Sequence, residues 1–186
     1  EFTLKVWNLH SRKCLLTIKG CSSTVNALTV MENGNLAFAS GEPSPFTQDN
    51  YIKLWDPVTG ACLATIEGHS LSVNALTVLP DGWLVSGSDD CTIRLWDPAT
   101  GNCAATLKSH IGSVNTLAVL PGGRLASGSA DNTIKLWDPA SRELGSCQLL
   151  FVADAAITAM AFLPAASILV AGDASGRVHW LRLPGA

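Results

Sequence analysis

Two sets of residues carry the side chains of nucleophilic chemistry at matching spacing: His69, Ser86 and Asp90, then His110, Ser127 and Asp131. In a hydrolase, Ser, His and Asp form a triad in which the imidazole takes the hydroxyl proton and the carboxylate orients the ring. The spacing argues against that use here. Both sets share the same internal intervals, and each is followed in the same relation by a Trp, Trp96 or Trp137. An enzyme needs one exposed nucleophile beside an oxyanion hole, and no G-x-S-x-G elbow occurs. Trp and His bury apolar bodies but carry polar atoms that need partners, so the sets read as structural hydrogen-bond networks with no catalytic residue among them.

Other chemistry has thinner support. His10 and His179 are isolated and read as surface residues, with no second ligand at metal spacing and no C-x-x-C pair, so neither metal nor cofactor is expected. Nothing resembles a glycine-rich phosphate loop. The net charge of −3, with Lys and Arg scattered singly, offers no basic stripe for nucleic acid and no polybasic tail for a membrane. Cys14, Cys62, Cys103 and Cys147 recur with the repeat, each at the start of an equivalent segment, which points to reduced thiols and a cytoplasmic protein rather than a disulfide framework. The absence of an N-x-S/T site agrees. Glu1-Phe2-Thr3-Leu4 has neither an initiator Met nor a targeting segment and reads as an artificial boundary. Residues 155–172 carry no charge, as a membrane span would, but Pro164 interrupts them and they keep a repeat register, so two strands are expected.

That register is the main signal. The segment SVNALTVLPDGWLVSGSDDCTIRLWDPATG returns as SVNTLAVLPGGRLASGSADNTIKLWDPASR 41 residues later. Trp55, Trp96 and Trp137 share that spacing, while Trp7 precedes Trp55 by 48 because of extra residues around Glu42 to Gln48. Within one period, Val73 to Leu79 is a short apolar run ended by Pro80-Asp81-Gly82, and Leu84 to Ser88 follows. Asp89-Asp90 turns the chain into Thr92 to Trp96, and Asp97-Pro98-Ala99-Thr100-Gly101 turns it into Cys103 to Leu107. Four short antiparallel strands per period predict an all-β chain whose sheets stack radially.

The whole chain resembles the WD-repeat (β-transducin-like) β-propeller family, and its near-identical internal repeats are similar to those of larger bacterial-type WD-repeat proteins. The resemblance implies a hydrogen-bonded tetrad in each repeat: His69, Ser86, Asp90 and Trp96 in one, His110, Ser127, Asp131 and Trp137 in the next. Ser40, Asp49 and Trp55 are the expected members in the preceding repeat, where Cys21 replaces the His. Ala153, Ala171, Ser175 and Leu181 fall at the four places in the last repeat, whose tetrad is lost, and Trp180 comes one position early. The expected division is a single partial propeller over 1–186: outer strands of a first blade in 1–20, then blades 21–68, 69–109, 110–152 and a degenerate last blade 153–186. About four and a half blades leave the ring incomplete, to be closed by missing blades, a second copy or another chain.

Asn26, Asn74 and Asn115 follow a Val at the entry to each first strand, with Thr158 in the last repeat. By resemblance they lie near the top of the central channel, where a peptide could be gripped; an Asn satisfying its own turn is the competing reading. The inserted loop, with Glu42, Phe46 and Gln48, is a second candidate contact, since loops that depart from a rigid scaffold often carry binding. The expected function is a protein- or peptide-binding scaffold within a larger signalling or regulatory protein. The alternative is a hydrolase-like enzyme with its site at the channel mouth.

Overall fold

A computed structural model describes residues 2–21, 24–41, 50–139 and 147–183, with the side chains of Phe2, Gly20 and Cys21 left aside. Its strands form antiparallel sheets whose order follows the chain. The first sheet pairs β1 (Phe2–Asn8) with β2 (Lys13–Cys21). Three four-stranded sheets follow. The second is β3 (Val25–Val30), β4 (Leu36–Ser40), β5 (Ile52–Trp55) and β6 (Cys62–Ile66). The third is β7 (Val73–Val78), β8 (Leu84–Ser88), β9 (Thr92–Trp96) and β10 (Cys103–Lys108). The fourth is β11 (Val114–Val119), β12 (Leu125–Ser129), β13 (Thr133–Trp137) and β14 (Cys147–Val152). A fifth sheet has β15 (Ile157–Leu163), β16 (Ile168–Asp173) and β17 (Val178–Arg182). This is an incomplete all-β propeller of about four blades.

Local sequence explains the strand ends. At the β7–β8 turn, Gly82 takes a left-handed φ of 86°, and its amide donates to the Leu79 carbonyl. After Trp55 and Trp96 an Asp begins the next turn. Asp97 accepts hydrogen bonds from the Ala99 amide and the Thr100 hydroxyl, and Asp56 accepts equivalent bonds from Val58 and Thr59. These bonds hold both carboxyls below the usual carboxylate range. The Asp of the Trp55-Asp56 and Trp96-Asp97 pairs therefore shapes a turn.

Packing runs between sheets. The second strands β8 and β12 are buried along their whole length, and their sequences LVSGS and LASGS keep small residues where a neighbouring sheet approaches. Trp96 packs with Met31, Leu54 and Ile66 of the preceding sheet, and Trp137 with Leu79, Leu95 and Leu107. Each repeat Trp thus closes a junction with the sheet before it. The uncharged stretch 155–172 makes β15, a short 3-10 turn at Pro164–Ala166, and β16. Among the described residues, no helix is long and apolar enough to cross a membrane.

Candidate binding surface

The two matching sets form connected chains of hydrogen bonds. Trp96 Nε1 donates to Ser86 Oγ at 2.7 Å, and His69 meets the same oxygen through Nε2 at 2.7 Å and Asp90 Oδ2 through Nδ1 at 2.8 Å. Trp137, Ser127, His110 and Asp131 repeat this at 2.7, 2.7 and 2.7 Å. One assignment satisfies every group: the indole N–H donates to the serine oxygen, the serine O–H donates to a neutral imidazole, and its Nδ1–H donates to the carboxylate. Both serines are fully buried, so their hydroxyls have no route to an external substrate.

The structure adds members that the sequence reading missed. Thr92 Oγ1 donates to Asp90 Oδ1 at 2.6 Å, and Thr133 does the same to Asp131 at 2.5 Å. A second pair of serines, Ser88 and Ser129, accepts from the Asp90 and Asp131 amides and donates to Leu71 and Gly112 carbonyls. Each network thereby fastens the loop entering a sheet to the turn between its second and third strands.

The preceding repeat needs a correction. Strand register pairs Leu28 with Phe38 and Val25 with Ser40, just as it pairs Leu76 with Ser86 and Val73 with Ser88. Ser40 therefore belongs with Ser88, and Phe38 occupies the place of Ser86. Phe38 packs on Trp55 with ring centroids 6.1 Å apart, and Trp55 Nε1 has no hydrogen-bond partner among the described residues. Asp49 lies outside those residues. The last sheet replaces the tetrad with another polar device, and this corrects the reading of His179 as a surface residue. His179 Nε2 meets Asp173 Oδ2 at 2.8 Å, the imidazole packs 4.8 Å from the Phe151 ring centroid, and Asp173 also accepts from Ser175 and the Arg177 amide. Bonds from Ser175 and His179 hold the Asp173 carboxyl far below its ordinary value. Asp154 pairs with Arg177 at the surface.

Burial pushes the Asp131 carboxyl up, but bonds from Thr133, His110 and the Ile111 amide outweigh it and hold it at about 2; the same balance places Asp90 lower still. Burial lowers His110 against the opposing pull of Asp131. A carboxyl or imidazole whose folded value lies below its unfolded one lends stability that is complete above the unfolded value and lost as pH falls. Stability should therefore be greatest above about pH 6.5, decline as His110 is forced to charge, and fall again below about pH 4. Urea midpoints measured across that range check this, and a midpoint that holds constant down to about pH 4 would contradict it.

The Asn positions lie at bulges. Pairing skips a residue between Val25 and Ala27, between Val73 and Ala75, between Val114 and Thr116, and between Ile157 and Ala159, which sets Asn26, Asn74, Asn115 and Thr158 outside the ladder. Asn115 Nδ2 donates to the Ile157 carbonyl of the next sheet at 2.8 Å, and Asn26 Nδ2 to that of Val73 at 3.3 Å. These amides brace neighbouring sheets. Asn74 turns instead to Asp89 Oδ1 at 2.6 Å, and Thr158 to the Gly172 carbonyl. Glu42, Phe46 and Gln48 lie outside the described residues.

Beside the first network, a cleft of about 380 Å3 is lined by Asn50, Tyr51, Glu67, Gly68, His69 and Ser70. Lys53 lies over the Tyr51 ring at 4.7 Å. A groove elsewhere on the ring, between the turns after β7 and β11, is lined by Leu79, Pro80, Asp81, Gly122, Gly123 and Pro139 and measures about 350 Å3.

Comparison with known proteins places this geometry. The model of the WD domain, G-beta repeat family matches residues 12–56, 60–97 and 101–138. No curated protein matches the chain. Among solved structures it is similar to the crystal structure of the computationally designed Ika4 protein, with 31% identity and a TM-score of 0.69 over 89% of this chain and 95% of that one. With three repeat matches spanning most of its length and a propeller neighbour of the same extent, this chain belongs to the WD domain, G-beta repeat family.

Proposed function

We propose that the chain is a protein- or peptide-binding scaffold module of a larger cytoplasmic signalling or regulatory protein, using the face that carries the hydrogen-bonded networks. The observation that supports this is the cleft from Asn50 to Ser70, which sits between two sheets beside the first network. Its walls combine an aromatic ring, a carboxylate in Glu67 and backbone at Gly68, the mixture of apolar surface and a few fixed polar groups that peptide sites use. The network through His69 and Asp90 keeps one wall rigid, so little ordering is needed on binding. Asn26 and Asn115 serve the same face by bracing neighbouring sheets, Asn74 and Thr158 offer polar groups at its rim, and Glu42, Phe46 and Gln48 supply contacts from the loop. The incomplete ring leaves apolar sheet faces that further blades, a second copy or another chain would cover.

A random peptide library displayed against the immobilised chain tests the reading. Selected peptides should lose affinity about tenfold with Glu67→Gln or Tyr51→Ala, the loss of one anchoring contact. Retention of full affinity by both variants would remove the cleft from the account.

A further inference from the structure

Each fully formed junction between sheets seats a β-branched residue from the start of a first strand in a notch on the second strand of the sheet before it. A Cβ on Gly87 would lie 2.6 Å from Val114 Cγ1, and one on Gly128 would lie 2.4 Å from Ile157 Cγ2, so those glycines are the notches for Val114 and Ile157. Val73 packs in the same way with Ala39, which stands at the corresponding place in β4. Gly172 is the counterpart in β16, paired with Ala159 as Gly128 is with Thr116, and nothing lies within 4 Å of its missing side chain. Around that notch Leu163, Val178 and Trp180 are 41%, 59% and 65% exposed, whereas their counterparts Leu120, Ile134 and Leu136 are 3%, 0% and 8% exposed.

The opposite end of the chain shows the complement. Val25 begins β3 at the place of Val114 and Ile157, but the sheet beside it consists of β1 and β2, which correspond to third and fourth strands, so no second strand offers a notch. Leu28 and Val30 on β3 are consequently 52% and 62% exposed. Their counterparts Leu117 and Val119 pack against the preceding sheet. Val25 packs beside Ile18 of β2 but meets no second strand among the described residues, so one end of the chain offers a knob without a notch and the other a notch without a knob. Strand positions agree as well: among the described residues β15, β16 and β17 have no fourth strand, β2 is a fourth strand, and β1 and β17 hold the same third place. Leu4 of β1 packs beside Ile18, and the β17 residue at the same place is Val178, so β17 can take over the pairing and packing that β1 gives up.

We propose that this chain pairs head to tail with a second copy of itself: the β15–β17 sheet of one copy joins β2 of the other in place of β1, and sets its Gly172 notch against Val25. Leu28 and Val30 are then covered by Leu163 and the β16 face, by the contact already made three times within the chain. Unlike surfaces meet, so two copies close on each other only by making the same junction twice. The inference rests on the ring being incomplete, not on the peptide cleft.

Light scattering and sedimentation of the full chain test it. The expected species is near twice the 19.5 kDa chain mass. Gly172→Val fills the notch without an internal clash, and Val30→Glu places a charge on an exposed position; both should keep the strand spectrum of the parent and weaken association about thirtyfold or more. A mixture of the two variants retains one intact junction and should recover a two-chain complex. A compact monomer of the unaltered chain would overturn the pairing while leaving the cleft to its own peptide test. Undiminished association in either variant, or no recovery on mixing, would overturn it too.

Discussion

Ser127→Ala is expected to destabilise the chain by about 3 to 4 kcal/mol, since two buried groups lose their partner at once and each costs about 1–3 kcal/mol when left unmet. Trp137 Nε1 and His110 Nε2 both bond to the Ser127 oxygen at 2.7 Å, and both side chains are buried. The loss should propagate, because His110 also positions Asp131, whose carboxylate binds the Ile111 amide and Thr133. Trp137→Phe and Trp55→Phe make the matching comparison, since both lose the same ring volume and only the first also loses an indole hydrogen bond. Trp55 Nε1 has no partner among the described residues, so Trp55→Phe should cost about 1 kcal/mol less than Trp137→Phe. Chemical denaturation of the two variants against the parent makes the comparison, and similar costs for both would show that the network contributes nothing beyond the bulk of its ring.

The second large effect concerns packing. Gly128→Val should cost about 3 kcal/mol, because the added branch meets Ile157 Cγ2 and Thr116 Cγ2 in a junction with no room to yield. Gly172→Val, the same change at the corresponding place of the next sheet, should leave the stability of the single chain unaltered within about 0.5 kcal/mol. The contrast separates an intrinsic strand preference of glycine from a need for close approach of two sheets. Equal costs at both positions would favour the first explanation.

The repeat and its four strands were legible because turn chemistry and apolar runs return at a fixed period, and local rules suffice to place each strand. Phe38 shows where that reading slipped. Counting back four residues from Asp49, as from Asp90 to Ser86, lands on Pro45 inside the insertion, and Ser40 is only the last serine ahead of the inserted residues. Counting forward from Val25, as from Val73 to Ser86, reaches Phe38 instead, so the signal was present on the side of the insertion where register is preserved. His179 and Asp173 were missed for a different reason. Asp173 stands at the place of Ser88 rather than that of Asp90, and a pair formed off the repeat's pattern has no periodic signature. The bracing role of Asn26 and Asn115 could not be read either, because its acceptors are backbone carbonyls of the next sheet, which any residue type provides. The empty notch at Gly172 becomes visible only when its surroundings are compared with those of Gly87 and Gly128.

These features describe a frame of sheets locked by buried polar networks, with the cleft at Asn50 to Ser70 on its network-bearing face. That a partner peptide seats in this cleft is tested most directly by backbone amide shift mapping of the labelled chain titrated with a library-selected peptide. The account predicts saturable shifts centred on Asn50, Tyr51 and Glu67 through Ser70. Shifts confined to the other groove, at Leu79 to Asp81, Gly122 and Gly123, would contradict it.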